Sequence, residues 1–190
     1  EVKGTTVQLH MKVLGLFRDM PRPEEEELKR LEQSDQIPRT TIFGRELNAF
    51  VLDRRGLEKA PPVRRALYRF LPLLAAQVIE AFIIRKDYDV VLSWYEKLGF
   101  PYALLCKLAR DRSVPHVALC GWPGFGMKLR MLRYVHAYID RIVLWSSVQR
   151  NIVTAEGGVP AERIYFTKWF VDQKFFRPLP TKTDMICSVG

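Results

Sequence analysis

The sequence predicts an α/β domain, a doubly wound Rossmann-like parallel sheet with helices on both faces, and three observations carry that expectation. Short apolar runs without polar alternation recur along the 190 residues, as strands covered on both faces require. Segments with helical spacing separate these runs. Glycine, proline or charged residues close the runs where a strand would leave the sheet. Apolar residues make up 48% of the chain, enough for a sizeable core in one domain of ordinary length.

The elements follow in order. Residues 1–10 precede Met11, a candidate initiator, and are expected to be an appended or flexible leader. Met11 to Phe17 is an apolar run ending at Arg18-Asp19 and reads as the first strand. After Pro21-Arg22-Pro23, Glu24 to Glu27 suit a helix first turn, where carboxylates oppose the macrodipole, and a charged loop continues to Pro38. Thr40 or Thr41 caps a helix through about Asn48, with Arg45 and Glu46 facing solvent. Ala49 to Leu52 is the second strand, closed by Asp53-Arg54-Arg55-Gly56.

Pro61-Pro62 marks the start of a helix from about Val63 to Lys86, which Pro72 should kink or divide because it lacks an amide proton. Asp89 to Ser93 is the third strand, Leu104 to Arg112 a helix, and Pro115 to Cys120 the fourth strand. The turn Gly121 to Gly126 leads into a helix from Met127 to about Tyr138. There Met131, Val135 and Tyr138 recur on one face, with Arg130 and Arg133 on another. Arg141 to Trp145 and Arg163 to Thr167 are the last strands, separated by a helix from Ser147 to Ala155. Ligands of such sheets sit beyond the carboxyl ends of the strands, which singles out Arg18, Trp94 to Gly99, Gly121 to Gly126 and Ser146-Ser147.

Composition narrows the function classes. Cys106, Cys120 and Cys187 form no close-spaced pair, which excludes a disulfide framework or four-cysteine zinc site and suits a reducing compartment. The stretch from Phe70 to Ile84 is interrupted by Gln77 and Glu80 and falls short of a membrane span. With no secretory signal in Glu1 to His10, the chain reads as cytoplasmic, soluble or peripheral at a membrane. The formal charge of +9 resides in Arg54 to Lys86 and Lys128 to Arg150. Nucleic acid, anionic lipid or a phosphorylated small molecule would meet these segments first. Each segment mixes its arginines with bulky apolar groups, as interfacial helices do, so Arg64, Arg65, Arg69, Lys128, Arg130 and Arg133 are candidate membrane contacts. No nucleic-acid motif accompanies the charge, and nucleic acid is the weaker option. No Cys/His/Asp cluster has metal-ligand spacing, and Gly121 to Gly126 lacks the P-loop ending. His116 and His136 have no plausible nucleophile beside them, so a triad is not expected.

From Asp89 onward the sequence resembles the N-terminal half of GT-B glycosyltransferases of the retaining, family-four type. The likeness rests on Asp89 to Ser93, Leu98-Gly99-Phe100-Pro101, Leu104-Leu105 and Pro115-His116-Val117. It is more specific at the end. Gly158 to Ile164, followed by Val171-Asp172-Gln173-Lys174-Phe175-Phe176-Arg177-Pro178, is similar to the passage where that family leaves its first lobe. Ser188-Val189-Gly190 is similar to the first strand of the second lobe, and Thr41-Ile42-Phe43-Gly44 to a helix start of some members. Three positions depart from the pattern: Arg18 to Arg22 replace a glycine pair, Gly121 stands where a histidine is usual, and Phe170 replaces a glycine.

The resemblance implies an acceptor-binding lobe at residues 11–178, with 179–190 as linker and the start of a donor lobe. The implied activity is sugar transfer from a nucleotide-sugar to a carbohydrate or lipid-linked acceptor. The nucleotide-sugar is a substrate, and neither cofactor nor metal is expected. Stabilising the diphosphate leaving group needs placed cations or helix ends, which the second lobe supplies in that family, so this chain alone is expected to be inactive. Candidate substrate contacts are Arg18, Trp94, Tyr95, Glu96, Gly121, Trp122, Gly124 and Ser146. Trp94 and Tyr95 can stack on a sugar face, Glu96 can accept a hydroxyl proton, and the Gly121–Gly126 turn can bring backbone amides to a phosphate. A non-catalytic Rossmann-like binding module and a basic membrane- or nucleic-acid-binding domain are the alternative readings.

Overall fold

A computed structural model of the protein describes residues 11–18, 24–39, 42–168, 172 and 174–176. They contain six parallel strands in one sheet and eight α-helices. The strands are β1 (Val13–Leu16), β2 (Phe50–Val51), β3 (Val90–Trp94), β4 (His116–Leu119), β5 (Arg141–Leu144) and β6 (Ile164–Phe166), in the spatial order β2-β1-β3-β4-β5-β6. Every neighbouring pair is parallel. The expected doubly wound, Rossmann-like sheet is therefore present.

The helices are α1 (Glu25–Gln33), α2 (Ile42–Glu46), α3 (Arg54–Glu58), α4 (Pro62–Tyr68), α5 (Leu73–Ile84), α6 (Glu96–Leu108), α7 (Gly126–Val135) and α8 (Ser147–Ala155). Register assigns the two sheet faces. Leu14, Leu16, Val91, Ser93, Ala118, Ile142 and Leu144 share one face. That face buries against α5, α6, α7 and α8, whose Ala76, Tyr102, Leu132 and Val153 are 0–1% exposed. Each fully buried leucine here is worth about 1.5–3 kcal/mol relative to leaving it in water. On the opposite face Val13, Leu92 and Leu119 join Phe17, Leu47 and Ala49, which brings in the end of α2. The sheet thus carries helices on both faces.

Several boundaries differ from the sequence reading, each for a local reason. The helix expected from Val63 to Lys86 is divided, as Pro72 demanded, into α4 and α5, with a 3-10 turn at Arg85–Asp87. Asp53 to Gly56, read as a strand closure, instead starts α3, because the Asp53 carboxylate accepts the Gly56 N–H at 2.9 Å and caps it. The helix expected from Leu104 begins eight residues earlier, at Glu96. Pro101 lies inside it, and burial of Leu98, Phe100 and Tyr102 outweighs the hydrogen bond that proline forfeits. Likewise α1 extends to Gln33, where a loop was expected. Thr40 and Thr41, residues 1–10, Phe170 and residues 177–190 lie outside the described residues.

The chain divides into two compact units, residues 1–20 with 42–168, and residues 21–41 with 169–190. The first holds the whole sheet. In the second, Asp172 accepts the Arg39 N–H at 2.9 Å and its guanidinium at 3.0 Å, while Arg39 also pairs with Asp35. The Arg39 amide, then its guanidinium and the amides of Phe175 and Lys174, hold the Asp172 carboxyl down at about 2. Asp172 also accepts the Phe175 and Lys174 amides and so closes the turn at 172–176.

Candidate functional site

β1 has β2 on one side and β3 on the other, so the strand order reverses at β1, between it and β3. Crevices of open parallel sheets form at that switch point, beyond the strands' carboxyl ends. Phe17, just past β1, meets Trp94, the last residue of β3, edge-on with centroids 5.8 Å apart. Beneath them Gln77 of α5 is fully buried, and its Nε2 donates to the carbonyls of Phe17 at 2.9 Å and Leu52 at 2.7 Å. One amide thus fixes where the chain emerges from both β1 and β2. Arg18 follows, exposed.

The next stretch of rim is built by two loops that hold each other. The Tyr95 N–H donates to the Leu119 carbonyl at 2.9 Å, and Tyr95 sits at φ 84°, ψ 144°. Such backbone is close to glycine-only and costs a tyrosine of order 1–3 kcal/mol. Its ring stays 42% exposed. Glu96 follows in the first turn of α6 with 5% exposure. Its Oε1 accepts the Trp122 N–H at 2.6 Å, and its Oε2 lies 3.6 Å from the Lys128 ammonium. Gln149 of α8, also fully buried, accepts the Gly124 N–H at 2.9 Å. Its Nε2 has no hydrogen-bond partner among the described residues.

Gly124 has to be small, since a Cβ would meet Ile152 Cγ2 at 2.8 Å and Gln149 Oε1 at 2.9 Å. Gly121 is buried, and a Cβ there would reach 3.3 Å from Trp145. Ser146 accepts the Gln149 N–H at 3.3 Å and caps α8. The loop from Gly121 to Phe125 is therefore anchored from below by a buried carboxylate and a buried amide. Above these anchors Trp122 and Phe125 project at 59% and 55% exposure, rings 5.9 Å apart and tilted by 43°. With Tyr95 they offer flat apolar faces of the kind that stack on sugar rings. Glu96 is the residue read as able to accept a hydroxyl proton. In the structure its oxygens face the Trp122 N–H and the Lys128 ammonium, and it positions the loop.

The candidates thus separate. Tyr95, Glu96, Gly121, Trp122 and Gly124 belong to one interlocked group, and Trp94 supports it from the neighbouring strand end. Ser146 is a helix cap. The sequence reading missed Gln77 and Gln149. Gln77 registered only as an interruption of an apolar stretch, and that interruption is the one signal that could have marked it.

One premise behind the expectation of no triad is corrected. His116 does have a hydroxyl neighbour: its Nε2 lies 2.8 Å from Ser93 Oγ, across adjacent strands β3 and β4. The two are 23 residues apart and meet only through the sheet, which sequence proximity does not reveal. Both are at most 1% exposed, and Tyr102 closes over the imidazole edge-on at 4.9 Å. Asp140 accepts the backbone N–H of His116 at 2.8 Å and does not orient the ring. Burial pushes His116 down to about 4. The pair is a buried core contact shut off from solvent.

The basic candidates also part company. Arg64 turns inward to the buried Glu80 at 3.3 Å, and the Tyr68 hydroxyl donates to the same carboxylate at 2.6 Å. Burial, then Glu80, pushes the Tyr68 phenol up. Lys128 faces Glu96, and the Arg133 Nε donates to the Glu156 carbonyl. Arg65, Arg69 and Arg130 are exposed. Among the described residues no helix is long and apolar enough to cross a membrane.

No protein-family model matches the chain, and no curated protein sequence matches it either. Among solved structures the chain is similar to Anabaena Alr3699/HepE. Against the complex with UDP and glucose it is 18% identical, covering 90% of this chain and 48% of that one, with a TM-score of 0.48. Against the UDP-glucose complex the values are 18%, 90%, 47% and 0.45, and against the UDP complex 17%, 83%, 44% and 0.44. The chain spans about half the length of these structures.

Proposed function

We propose that this chain is the acceptor-binding lobe of a GT-B glycosyltransferase of the retaining, family-four type. Such an enzyme moves a sugar from a nucleotide-sugar to a carbohydrate or lipid-linked acceptor. The observation that carries the reading is the rim. At the carboxyl ends of β3 and β4, a strained Tyr95 and a buried Glu96 hold Trp122 and Phe125 in a fixed, exposed aromatic pair. Preorganised aromatic faces above a parallel sheet are suited to a saccharide, because their placement costs nothing further at the moment of binding. The sequence resemblance at Asp89 to Val117 and at Gly158 to Pro178 supports the same reading from a separate direction.

In this reading the rim orients the acceptor and the donor is gripped elsewhere. Lys128, neutralised by Glu96, is not a free cation for a leaving diphosphate. The chain alone is accordingly expected to bind acceptor saccharides saturably and not to transfer sugar. Calorimetric titration with a panel of saccharides and lipid-linked saccharides checks the first expectation. Incubation with labelled nucleotide-sugars and the same panel checks the second. Saturable binding without transfer supports the proposal. Sugar transfer by the chain alone contradicts the one-lobe assignment, and no binding across the panel contradicts the acceptor role.

A further inference from the structure

We propose that the face formed by α3, α4 and the start of α5 docks the protein on an anionic lipid bilayer. The first observation is an inverted helix. Val63, Leu67 and Phe70 follow one stripe of α4 and its end, and are 82%, 57% and 85% exposed. Arg64 and Tyr68 lie on the side of the same helix that faces in. Arg64 pairs with Glu80, which is 3% exposed, and Tyr68 donates to that carboxylate. A helix of a soluble domain ordinarily does the reverse and buries its apolar stripe. Here a half-buried arginine paired with a buried carboxylate pins α4 so that its apolar stripe points outward.

The second observation is the charge around the stripe. Arg65 and Arg69 are exposed beside it. They line a shallow groove of about 590 Å³ with Arg54, Leu57, Glu58 and Tyr68. Apolar side chains with arginines at their flanks match the two layers an anionic membrane presents, acyl chains below and phosphates at the surface. A nucleic-acid duplex would satisfy the arginines and leave Val63, Leu67 and Phe70 in water, so the bilayer is the occupant that uses both features.

Topology adds a consequence. α4 lies between the carboxyl end of β2 and the start of α5, which returns to the start of β3. The docking face is thus at the same end of the sheet as Trp122 and Phe125, and a bilayer seated there would bring membrane-borne molecules to the rim. The docking itself does not depend on sugar transfer.

Flotation with vesicles of phosphatidylglycerol and phosphatidylcholine in equal parts tests the proposal against vesicles of phosphatidylcholine alone. Binding to the anionic vesicles is expected, and roughly tenfold weaker binding in each of three cases: neutral vesicles, Phe70→Ser, and Arg65→Gln combined with Arg69→Gln. Arg110→Gln, exposed at the opposite end of the sheet, should bind as the unmodified chain does. The altered side chains are exposed, so unchanged thermal unfolding verifies that each variant is folded. As a readout of insertion, Phe70→Trp should show blue-shifted emission on anionic vesicles. No vesicle binding, equal binding by the α4 variants, or salt-sensitive duplex binding without vesicle binding would overturn the proposal.

Discussion

The rim loop and helix α4 both expose large apolar side chains at the carboxyl end of the sheet, yet they are held in different ways. Trp122 and Phe125 ride on a loop pinned by two buried polar anchors, Glu96 and Gln149, beside a tyrosine in strained backbone. Val63, Leu67 and Phe70 ride on a regular helix tied down by one ion pair and a phenol. The first arrangement fixes the orientation of a few ring faces, as recognition of a shaped ligand requires. The second presents a stripe whose neighbours need no particular register, which suits a fluid surface. Exposure alone does not separate these roles; the polar support beneath the exposed residues does.

The largest expected effect is on acid stability, through the core pair beneath the rim. Buried His116 titrates at about 4 in the folded state against about 6.5 when unfolded, so unfolding takes up a proton. Its contribution is fully present above about pH 6.5 and is lost as pH falls towards 4, by about 3 kcal/mol in all. Urea midpoints between pH 7 and 4 should fall accordingly, and the fall should flatten in His116→Phe if that variant folds. Equal slopes for both proteins would refute this account of the core.

Next comes Glu96→Ala, which strips the Trp122 amide and Lys128 of their acceptor. A loss of about 2 kcal/mol is expected by urea unfolding, with saccharide binding lost as well. An unchanged midpoint would mean that the loop is held by other contacts.

Tyr95→Gly sharpens the comparison further because the two readouts should move apart. Relief of the positive φ should stabilise the fold by about 1 kcal/mol, while removal of the ring should weaken rim binding. Joint loss of stability and binding would contradict the claim of strain. Smallest is Phe70→Ala, whose side chain is 85% exposed. Its unfolding midpoint should stay within about 0.5 kcal/mol of the parent, with rim binding untouched. A larger loss would make α4 part of the folded core and dissolve the contrast.

The sequence reading reached the sheet because buried parallel strands leave uninterrupted apolar runs, visible in Val13 to Leu16 and Val90 to Leu92. It reached the division at Pro72 because a missing amide proton is a local fact. It did not reach the start of α6, where tertiary burial of Phe100 and Tyr102 overrides the local preference of Pro101. Nor did it reach the Ser93–His116 contact, which exists only through strand pairing. The rim residues were named from their position after strands, and Trp122 and Gly124 were legible on that basis. What held them was not, because a buried glutamine or glutamate signals its role only through the backbone groups it meets. The same limit explains Arg64, which matches its neighbours by composition and differs from them only through Glu80.

If the aromatic rim above β3 and β4 receives an acceptor saccharide, the indole signals of the protein report it. The chain has four tryptophans, and the Trp122 N–H resonance can be assigned by its loss in Trp122→Ala. On titration with a saccharide or lipid-linked saccharide that binds, a saturable shift of the Trp122 signal and loss of affinity in Trp122→Ala are expected. A ligand that binds with the Trp122 signal unmoved, and equally well to Trp122→Ala, would contradict an acceptor site at the rim.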